Sequence, residues 1–323
     1  MKSLLLVLLA ALPIAAQQRD VIRAGVDLVV VPISVRDNTG KFIYDLKPED
    51  FTILEDGRVQ QISNFSIDPS PLSVAVLIDT GLGGSALRRF ASSILSLSSA
   101  FTEADEAEVY RFDHIIMRLS EFTADHETLE KNLSIIKKMA EGRTDNTSSP
   151  IAILPGRGPR WLRWLLDRGI ETKVLNDAVF TAARDLESRS ADKRKIIVII
   201  SDGQAAGKPV HSLQDTRDRL VQSQIQFYGV AVGTALIEGP ASILRAYADA
   251  TGGDVYRART QNAMETAFSR IMVQARHQYV ISYVSNNEVP GLIAVPRQIV
   301  VKANRPDLKN IHRKSYLQFP RPR

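Results

Sequence analysis

Two apolar segments that lie far apart in the chain constrain its fold most strongly. Residues 73–78 (SVAVLI) and 195–201 (KIIVIIS) are almost continuously apolar and rich in β-branched side chains. Strands of this composition are typically buried on both faces, as parallel strands covered by helices are. Segments with the apolar spacing of helices lie between them, at residues 85–101 and 175–189. This alternation continues over residues 72–276 and predicts an α/β fold, with a doubly wound, mostly parallel sheet and helices on both faces.

On both sides of that region the sequence has the character of β-structure. The predicted strands are 26–36, 42–46, 279–284, 297–303 and 311–317, and a hairpin is predicted over 52–67. Each flank is too short to close a hydrophobic core alone. We therefore expect the N-terminal segment 24–68 and the C-terminal segment 277–323 to pack together as a small β-sandwich. The α/β domain 72–276 is then an insertion between them.

The amino terminus has the pattern of an export signal. A basic start at Lys2 precedes an apolar run over residues 4–14, and small residues follow. Because the run is shorter than the about 20 residues that span a bilayer, it favours a cleaved signal peptide over residues 1–17. The alternative is a buried first element of the mature fold. With no cysteine in the chain and no second apolar run of membrane length, we expect an exported bacterial protein, periplasmic or secreted, without a transmembrane span.

The net charge of +5 comes from basic residues spread along the chain. A spread charge of this size predicts a weak attraction to anionic surfaces, such as peripheral contact with an anionic membrane, and gives no indication of nucleic-acid binding.

Several short motifs occur in an order that is informative as a set. They are EDFTILEDG at 49–57, LNDA at 175–178, YGVAVG at 228–233, ATGG at 250–253 and QYVISY at 278–283. Together with the order of elements, they resemble the von Willebrand factor type A (VWFA) domain proteins, in particular the exported VWFA-related proteins of Acidobacteria. The resemblance covers nearly the whole mature chain. It implies a non-enzymatic protein that acts in protein–protein binding, adhesion or envelope scaffolding.

The resemblance also implies a metal-ion-dependent adhesion site, which this chain retains in part. The family holds a divalent cation such as Mg²⁺ with serine and threonine hydroxyls and with carboxylates, the oxygen ligands that suit this ion. Asp79 and Asp202 match the two carboxylate positions. The two serine positions are Gly81 and Gly83, which have no side chain to offer.

The threonine of the family's site also lacks a direct match. Its strict counterpart is Lys173, and Thr172 is displaced by one position. The resemblance therefore implies a degenerate site, with Asp79, Asp202 and Thr172 as the remaining candidate ligands. We expect any binding of a divalent cation to be weak and to use these carboxylates and waters. Lys173 is a candidate substitute for the metal, because its charge would relieve the repulsion between the carboxylates; alternatively it points into water.

An enzyme is the competing hypothesis, either metal-dependent or nucleotide-dependent. The corner after Asp79 reads Gly81-x-Gly83-x-x-Ala86, a weak form of the dinucleotide fingerprint. That fingerprint requires an acidic residue about 20 positions further on, and the chain has no good candidate there. The histidines are scattered and are expected at the surface or at sheet edges, so we predict no catalytic residues.

The insertion 143–170 has the most distinctive composition in the sequence. It contains both tryptophans, within the segment RWLRWLL at 160–166. We expect a short helix near Asp79 and Asp202, with Arg160, Arg163 and Trp164 available to a protein partner or an anionic membrane surface. The alternative is that the segment only covers the domain.

Overall fold

The computed structural model describes residues 28–67, 69–82, 84–142, 174–205, 208–236, 242–289 and 293–320. In chain order the strands are β1 (Leu28–Arg36), β2 (Phe51–Glu55), β3 (Arg58–Gln60), β4 (Ile62–Ser66), β5 (Leu72–Asp79), β6 (Glu106–Phe112), β7 (Ile116–Arg118), β8 (Arg194–Ser201), β9 (Gln226–Ala231), β10 (Val255–Arg257), β11 (Tyr279–Val284), β12 (Val295–Ala303), β13 (Lys309–His312) and β14 (Ser315–Gln318). The helices are α1 (Gly84–Ser96), α2 (His126–Glu141), α3 (Leu175–Glu187), α4 (Leu213–Gln222), α5 (Ile243–Thr251) and α6 (Gln261–Arg276). None of the helices in these ranges combines the length and apolar character that a bilayer span requires.

The central sheet has the strand order β10-β9-β8-β5-β6-β7. Its strands are parallel except β7, which pairs with β6 in the antiparallel sense. Every residue of β5 is buried, as the apolar run predicts. One face packs against α1, α2 and α6 through residues such as Phe90 and Phe268. The other face packs against α3, α4 and α5 through residues such as Leu186 and Tyr247. The predicted fold class, an α/β protein with a mostly parallel sheet covered on both faces, is confirmed.

Two further sheets combine strands from the two flanks of the α/β region. Their orders are β13-β1-β11-β4 and β14-β12-β2-β3, and the pairs are antiparallel. Side chains from both sheets form one buried cluster, which includes Val31, Ile53, Tyr279 and Ile299. Strands of the N-terminal flank thus pair with strands of the C-terminal flank in both sheets. The placing of the domain boundaries stays a prediction.

The single strand predicted over 311–317 is wrong in detail, because the chain changes sheet there. β13 ends at His312 and β14 begins at Ser315, in different sheets. His312 Nε2 accepts the Val301 N–H at 3.2 Å, and the Lys314 carbonyl accepts the Ile299 N–H at 2.8 Å. These bonds fix the corner against β12, and an alternating pattern cannot reveal such a corner.

The strand predicted over 42–46 is also wrong. Phe42 makes one isolated bridge with Arg36, and the Leu46 N–H donates to the Tyr279 hydroxyl at 3.0 Å. The Leu46 side chain is buried although its backbone has no strand neighbour. Burial of Leu46 therefore does not require a strand, because a side-chain hydroxyl replaces the ladder partner of its N–H.

The α/β region and the two flanking sheets meet closely at Gly252. This glycine ends α5 with φ 76°, and a Cβ placed on it would lie 2.5 Å from the Arg313 backbone nitrogen. At the neighbouring edge, Arg36 Nη1 contacts Asp254 Oδ2 at 2.8 Å and Arg36 Nη2 donates to Gln274 Oε1 at 2.8 Å. The ATGG motif thus lies at the joint between the two parts, where only a residue without a side chain fits.

Candidate functional site

Asp79 and Ser201 connect two neighbouring strands at the carboxyl edge of the central sheet. Asp79 ends β5 and Ser201 ends β8, and these parallel strands lie side by side. The Ser201 hydroxyl donates to Asp79 Oδ2 at 2.7 Å, and the Gly81 N–H donates to Asp79 Oδ1 at 2.9 Å. Asp79 has no exposed surface. Both oxygens of this carboxylate therefore accept hydrogen bonds within the protein.

Asp202 directly follows β8, so the structure brings it to the same edge as Asp79. Its Oδ1 accepts the Gln204 N–H at 3.1 Å, and the residue is buried. Gly233, the last residue of the YGVAVG motif, approaches it from the neighbouring strand end. With φ 56°, a Cβ at Gly233 would lie 3.3 Å from the Asp202 Cβ. The glycine thus allows the loop after β9 to pack against Asp202.

Thr80 and Asp113 form a second polar contact beside the first. The buried Thr80 hydroxyl lies 3.2 Å from both the Phe112 carbonyl and Asp113 Oδ2. Asp113 also accepts the Ile115 N–H at 3.0 Å and contacts His114 Nδ1 at 2.8 Å. Sequence reasoning assigned no role to Thr80, Asp113 or the Ser201 hydroxyl. Their position could have identified them, because each lies at the end of a buried strand or directly after it.

Asp177 of the LNDA motif holds the loop that follows Asp202. Its carboxylate accepts the backbone N–H groups of Val210 at 3.1 Å and His211 at 2.8 Å, and contacts His211 Nδ1 at 2.9 Å. The His211 ring stacks on Phe180, with centroids 3.6 Å apart and planes 11° from parallel. In the described part of the chain no serine or threonine hydroxyl bonds to His211. The pair thus fixes the loop that follows Asp202.

His312 lies in the flanking sheets, away from these carboxylates. It lies on the edge strand β13, as expected from sequence, yet it is buried. Burial lowers the pKa of His312 to about 4, so the ring is neutral and its Nε2 acts as an acceptor.

The other predicted site residues cannot be placed in the fold. Gly83 and the whole segment 143–173 lie outside the described residues. That segment contains the candidate ligand Thr172, the candidate metal substitute Lys173, and the candidate contact residues Arg160, Arg163 and Trp164. The predicted helix over 160–166 lies outside the described residues as well.

The residues that the structure describes do not fit the oxygen shell of a divalent cation. Gly81 has no hydroxyl, and both Asp79 oxygens and one Asp202 oxygen already accept protein hydrogen bonds. Among the described residues no group of three or more His, Asp and Glu side chains is arranged to hold a metal ion. The degenerate metal site implied by the resemblance stays a prediction, because Gly83, Thr172 and Lys173 lie outside the described residues.

Two exposed apolar side chains lie on the loops that follow β6 and β8. Ile115, in the turn after Asp113, is 42% exposed, and Val210, beside Asp177, is 84% exposed. Both follow strands whose carboxyl ends form the edge described above. We call this edge of the sheet, with the buried Asp79 and Asp202 and the exposed Ile115 and Val210, the carboxyl-edge face.

The fold and this face define an α/β protein with a mostly parallel six-stranded sheet and buried carboxylates at its carboxyl edge. A scan against protein-family models finds no match for the chain, and neither does a search of curated proteins. Several solved structures are similar in part.

BatB from Bacteroides thetaiotaomicron is 12% identical, with a TM-score of 0.43 over 63% of this chain and 98% of that one. The VWA domain of SpRpn10 is 13% identical, with a TM-score of 0.34 over 61% of this chain and 93% of that one. Proximal thread matrix protein 1 of the mussel byssus, with a zinc-occupied MIDAS motif, is 13% identical, with a TM-score of 0.42 over 66% of this chain and 49% of that one. These similarities concern the fold alone.

Proposed function

We propose that this chain is an exported bacterial protein with a VWFA-type domain that acts by binding another protein, in adhesion or as a scaffold of the cell envelope. It performs no catalysis in this role. The carboxyl-edge face is the binding surface, and the segment 160–166 contributes Arg160, Arg163 and Trp164 to the same contact.

The observation that carries the proposal is the combination of internally bonded carboxylates and exposed apolar side chains at one edge. Asp79 is fully buried and accepts from Ser201 and Gly81, so it supports the face. Ile115 and Val210 are exposed on the loops that follow β6 and β8, with backbone N–H groups bonded to Asp113 and Asp177. Exposed apolar side chains with polar surroundings are typical of protein-binding surfaces. A partner would then bind mainly through direct contacts, and a bridging metal ion would contribute little.

Partner capture from an envelope extract tests the face. The double variant Ile115→Asp with Val210→Asp should lose capture while its melting temperature stays within about 2 °C, because exposed substitutions rarely change stability by more than about 0.5 kcal/mol. Ile293→Asp is the matched control, since Ile293 is 80% exposed and lies between β11 and β12, away from this edge. Equal capture by both variants would place the binding surface elsewhere.

Thermal denaturation with millimolar Mg²⁺ or with chelator tests the contribution of metal. The melting temperature should change little, because the hydroxyl ligands are missing at positions 81 and 83. A bound ligand at hundredfold excess over its dissociation constant stabilises by about 2.7 kcal/mol. A gain of that size, abolished by Asp79→Ala, would show a working metal site, and the same assay with nucleotides tests the enzyme hypothesis.

Export is tested by mass spectrometry of the native protein. The signal peptide, residues 1–17, should be absent from the mature chain. Retention of Met1 would contradict export.

A further inference from the structure

A cavity of about 470 Å³ lies between the α/β region and the flanking sheets. It is at the amino ends of the central strands, since Arg194, the first residue of β8, forms part of its wall. The carboxyl-edge face is at the other end of the same strands. The charged residues around the cavity are Lys193, Arg194, Lys195, Arg313 and, as an exposed carboxylate, Asp192.

Arg313 is a buried cation without a carboxylate partner among the described residues. The residue is 8% exposed, and its Nη2 donates to the Val30 carbonyl at 2.7 Å. Its Nε is buried and finds no acceptor. The Tyr316 ring lies 5.7 Å from the guanidinium carbon, close enough for a cation–π contact. Burial lowers the pKa of Arg313, but a guanidinium stays charged at neutral pH.

The other cations of the cavity have acceptors in the protein. Lys195 Nζ donates to the Glu187 carbonyl at the end of α3, at 3.0 Å. Arg194 donates to the Ala275 carbonyl in the last turn of α6. These two side chains stabilise helix carboxyl ends, where positive charge is favourable. Lys193 Nζ is 3.8 Å from Glu106 Oε2. Their charges still add to the positive field in the cavity, and Arg313 keeps a buried Nε without an acceptor among the described residues.

Burial of an unpaired charge is unfavourable, because the charge loses its hydration without gaining a partner. A guanidinium has five N–H donors in a planar fork that matches carboxylate and phosphate groups. We propose that this cavity binds a small anion bearing a carboxylate or a phosphate group, with Arg313 as its principal ligand. The site lies at the opposite end of the sheet from the proposed protein-binding face and is independent of it.

Titration calorimetry and thermal denaturation of the full chain test this site, with citrate and inorganic phosphate as the two probes and NaCl at equal ionic strength as the reference. One or both probes should bind and raise the melting temperature. The tighter probe identifies the anion as carboxylate or phosphate. Arg313→Met keeps an unbranched stem and removes the guanidinium with its charge, and should weaken binding at least about tenfold, as expected for a charged hydrogen bond.

Arg184→Met is the matched control, because it removes one exposed positive charge on α3, a helix whose Arg184 contacts Asp185 outside the cavity. It should bind the probe as the unsubstituted chain does. If Arg313→Met does not fold, Arg313→Lys keeps the charge without the fork and should weaken binding several-fold. Absence of binding by the unsubstituted chain would overturn the proposal, and so would equal binding by the Arg313 and Arg184 variants.

Discussion

At the scale of single residues, Ser201 offers a direct measure of how the carboxyl-edge face is held together. Ser201→Ala removes the hydroxyl that donates to the buried Asp79 carboxylate. We expect a loss of about 1–3 kcal/mol in the free energy of unfolding, because a buried acceptor then lacks one of its donors. Denaturant unfolding measures it, with Ser92→Ala on the exposed side of α1 as control. Equal stability of the two variants would mean that Ser201 does not support Asp79.

Glu108 makes a second prediction, on pH dependence. It has no exposed surface, and its carboxyl group lies close to the Tyr110 hydroxyl and to Asp185. Burial, assisted by the negative charge of Asp185, raises the pKa of Glu108 to about 8. The folded protein then keeps a proton that the unfolded chain releases near pH 4.5, so this group's contribution to stability is full below pH 4.5 and is lost as the pH rises to about 8.

Glu108→Gln removes this proton linkage. The stability of the variant relative to the unsubstituted chain should rise by about 1.4 kcal/mol per pH unit between pH 5 and 8 and then level off. Melting temperatures over this range measure the difference, with Glu103→Gln at an exposed position as control. A difference that does not change with pH would show that Glu108 is ionised in the folded protein.

At the same scale, the sequence identified the site only in part. Asp79 and Asp202 were named because they match the two carboxylate positions of the resembled family, and the structure places both at a strand end, which fixes a side chain at the sheet edge. The partnership of Asp79 with Ser201 could not be found, because it depends on which strands are neighbours. Strand order is set by the connections between strands, which periodicity does not contain.

At the scale of elements, Gly252 and Gly57 form a natural pair for a prediction. Both have positive φ, of 76° and 81°, but a Cβ at Gly252 meets the Arg313 backbone at 2.5 Å and a Cβ at Gly57 meets nothing within 4 Å. Gly57→Ala should cost about 1–2 kcal/mol, the strain of the left-handed backbone alone. Gly252→Ala should cost clearly more, since α5 and the corner after β13 must also move apart. Denaturant unfolding of both variants measures this, and equal losses would contradict a tight joint at Gly252.

Strands with a clear pattern of apolar residues were predicted well, and strands without one were not. The two continuous apolar runs form β5 and β8, and the observed bounds lie within one residue of the expected ones. Runs of this kind are predictable because a strand buried on both faces is apolar at every position. The segment 311–317 (IHRKSYL) has no clear periodicity, so its composition does not reveal the corner at Arg313. Residues 42–46 (FIYDL) have no clear periodicity either, and the backbone N–H of Leu46 bonds to Tyr279, which is far away in the sequence.

At the scale of the whole molecule, Arg36 joins the flanking sheets to the α/β region. It contacts Asp254 and Gln274, and Asp254 is also paired with Arg245 at 3.0 Å. Arg36→Met should therefore cost about 1–3 kcal/mol, less than the about 3–5 kcal/mol for breaking an isolated buried pair. Calorimetry should show one unfolding transition for the unsubstituted chain and a broader or split transition for the variant. The exposed Arg184→Met should leave the transition single, and a variant transition as sharp as that of the unsubstituted chain would mean that Arg36 does not couple the two parts.

The two connections between these parts lie side by side. The Ser70 N–H donates to the Arg276 carbonyl at 3.2 Å, and the strands reached through them, β4 and β11, are hydrogen-bonded neighbours with Ser66 opposite Val280. Both connections leave the central sheet at its amino end, opposite the carboxyl-edge face. Tension applied by a partner on that face would thus be divided between two covalent paths and would load β4 and β11 from the same end. In mechanical terms, the two strands would be pulled together as one ribbon, and the hydrogen bonds between them would carry little of the force.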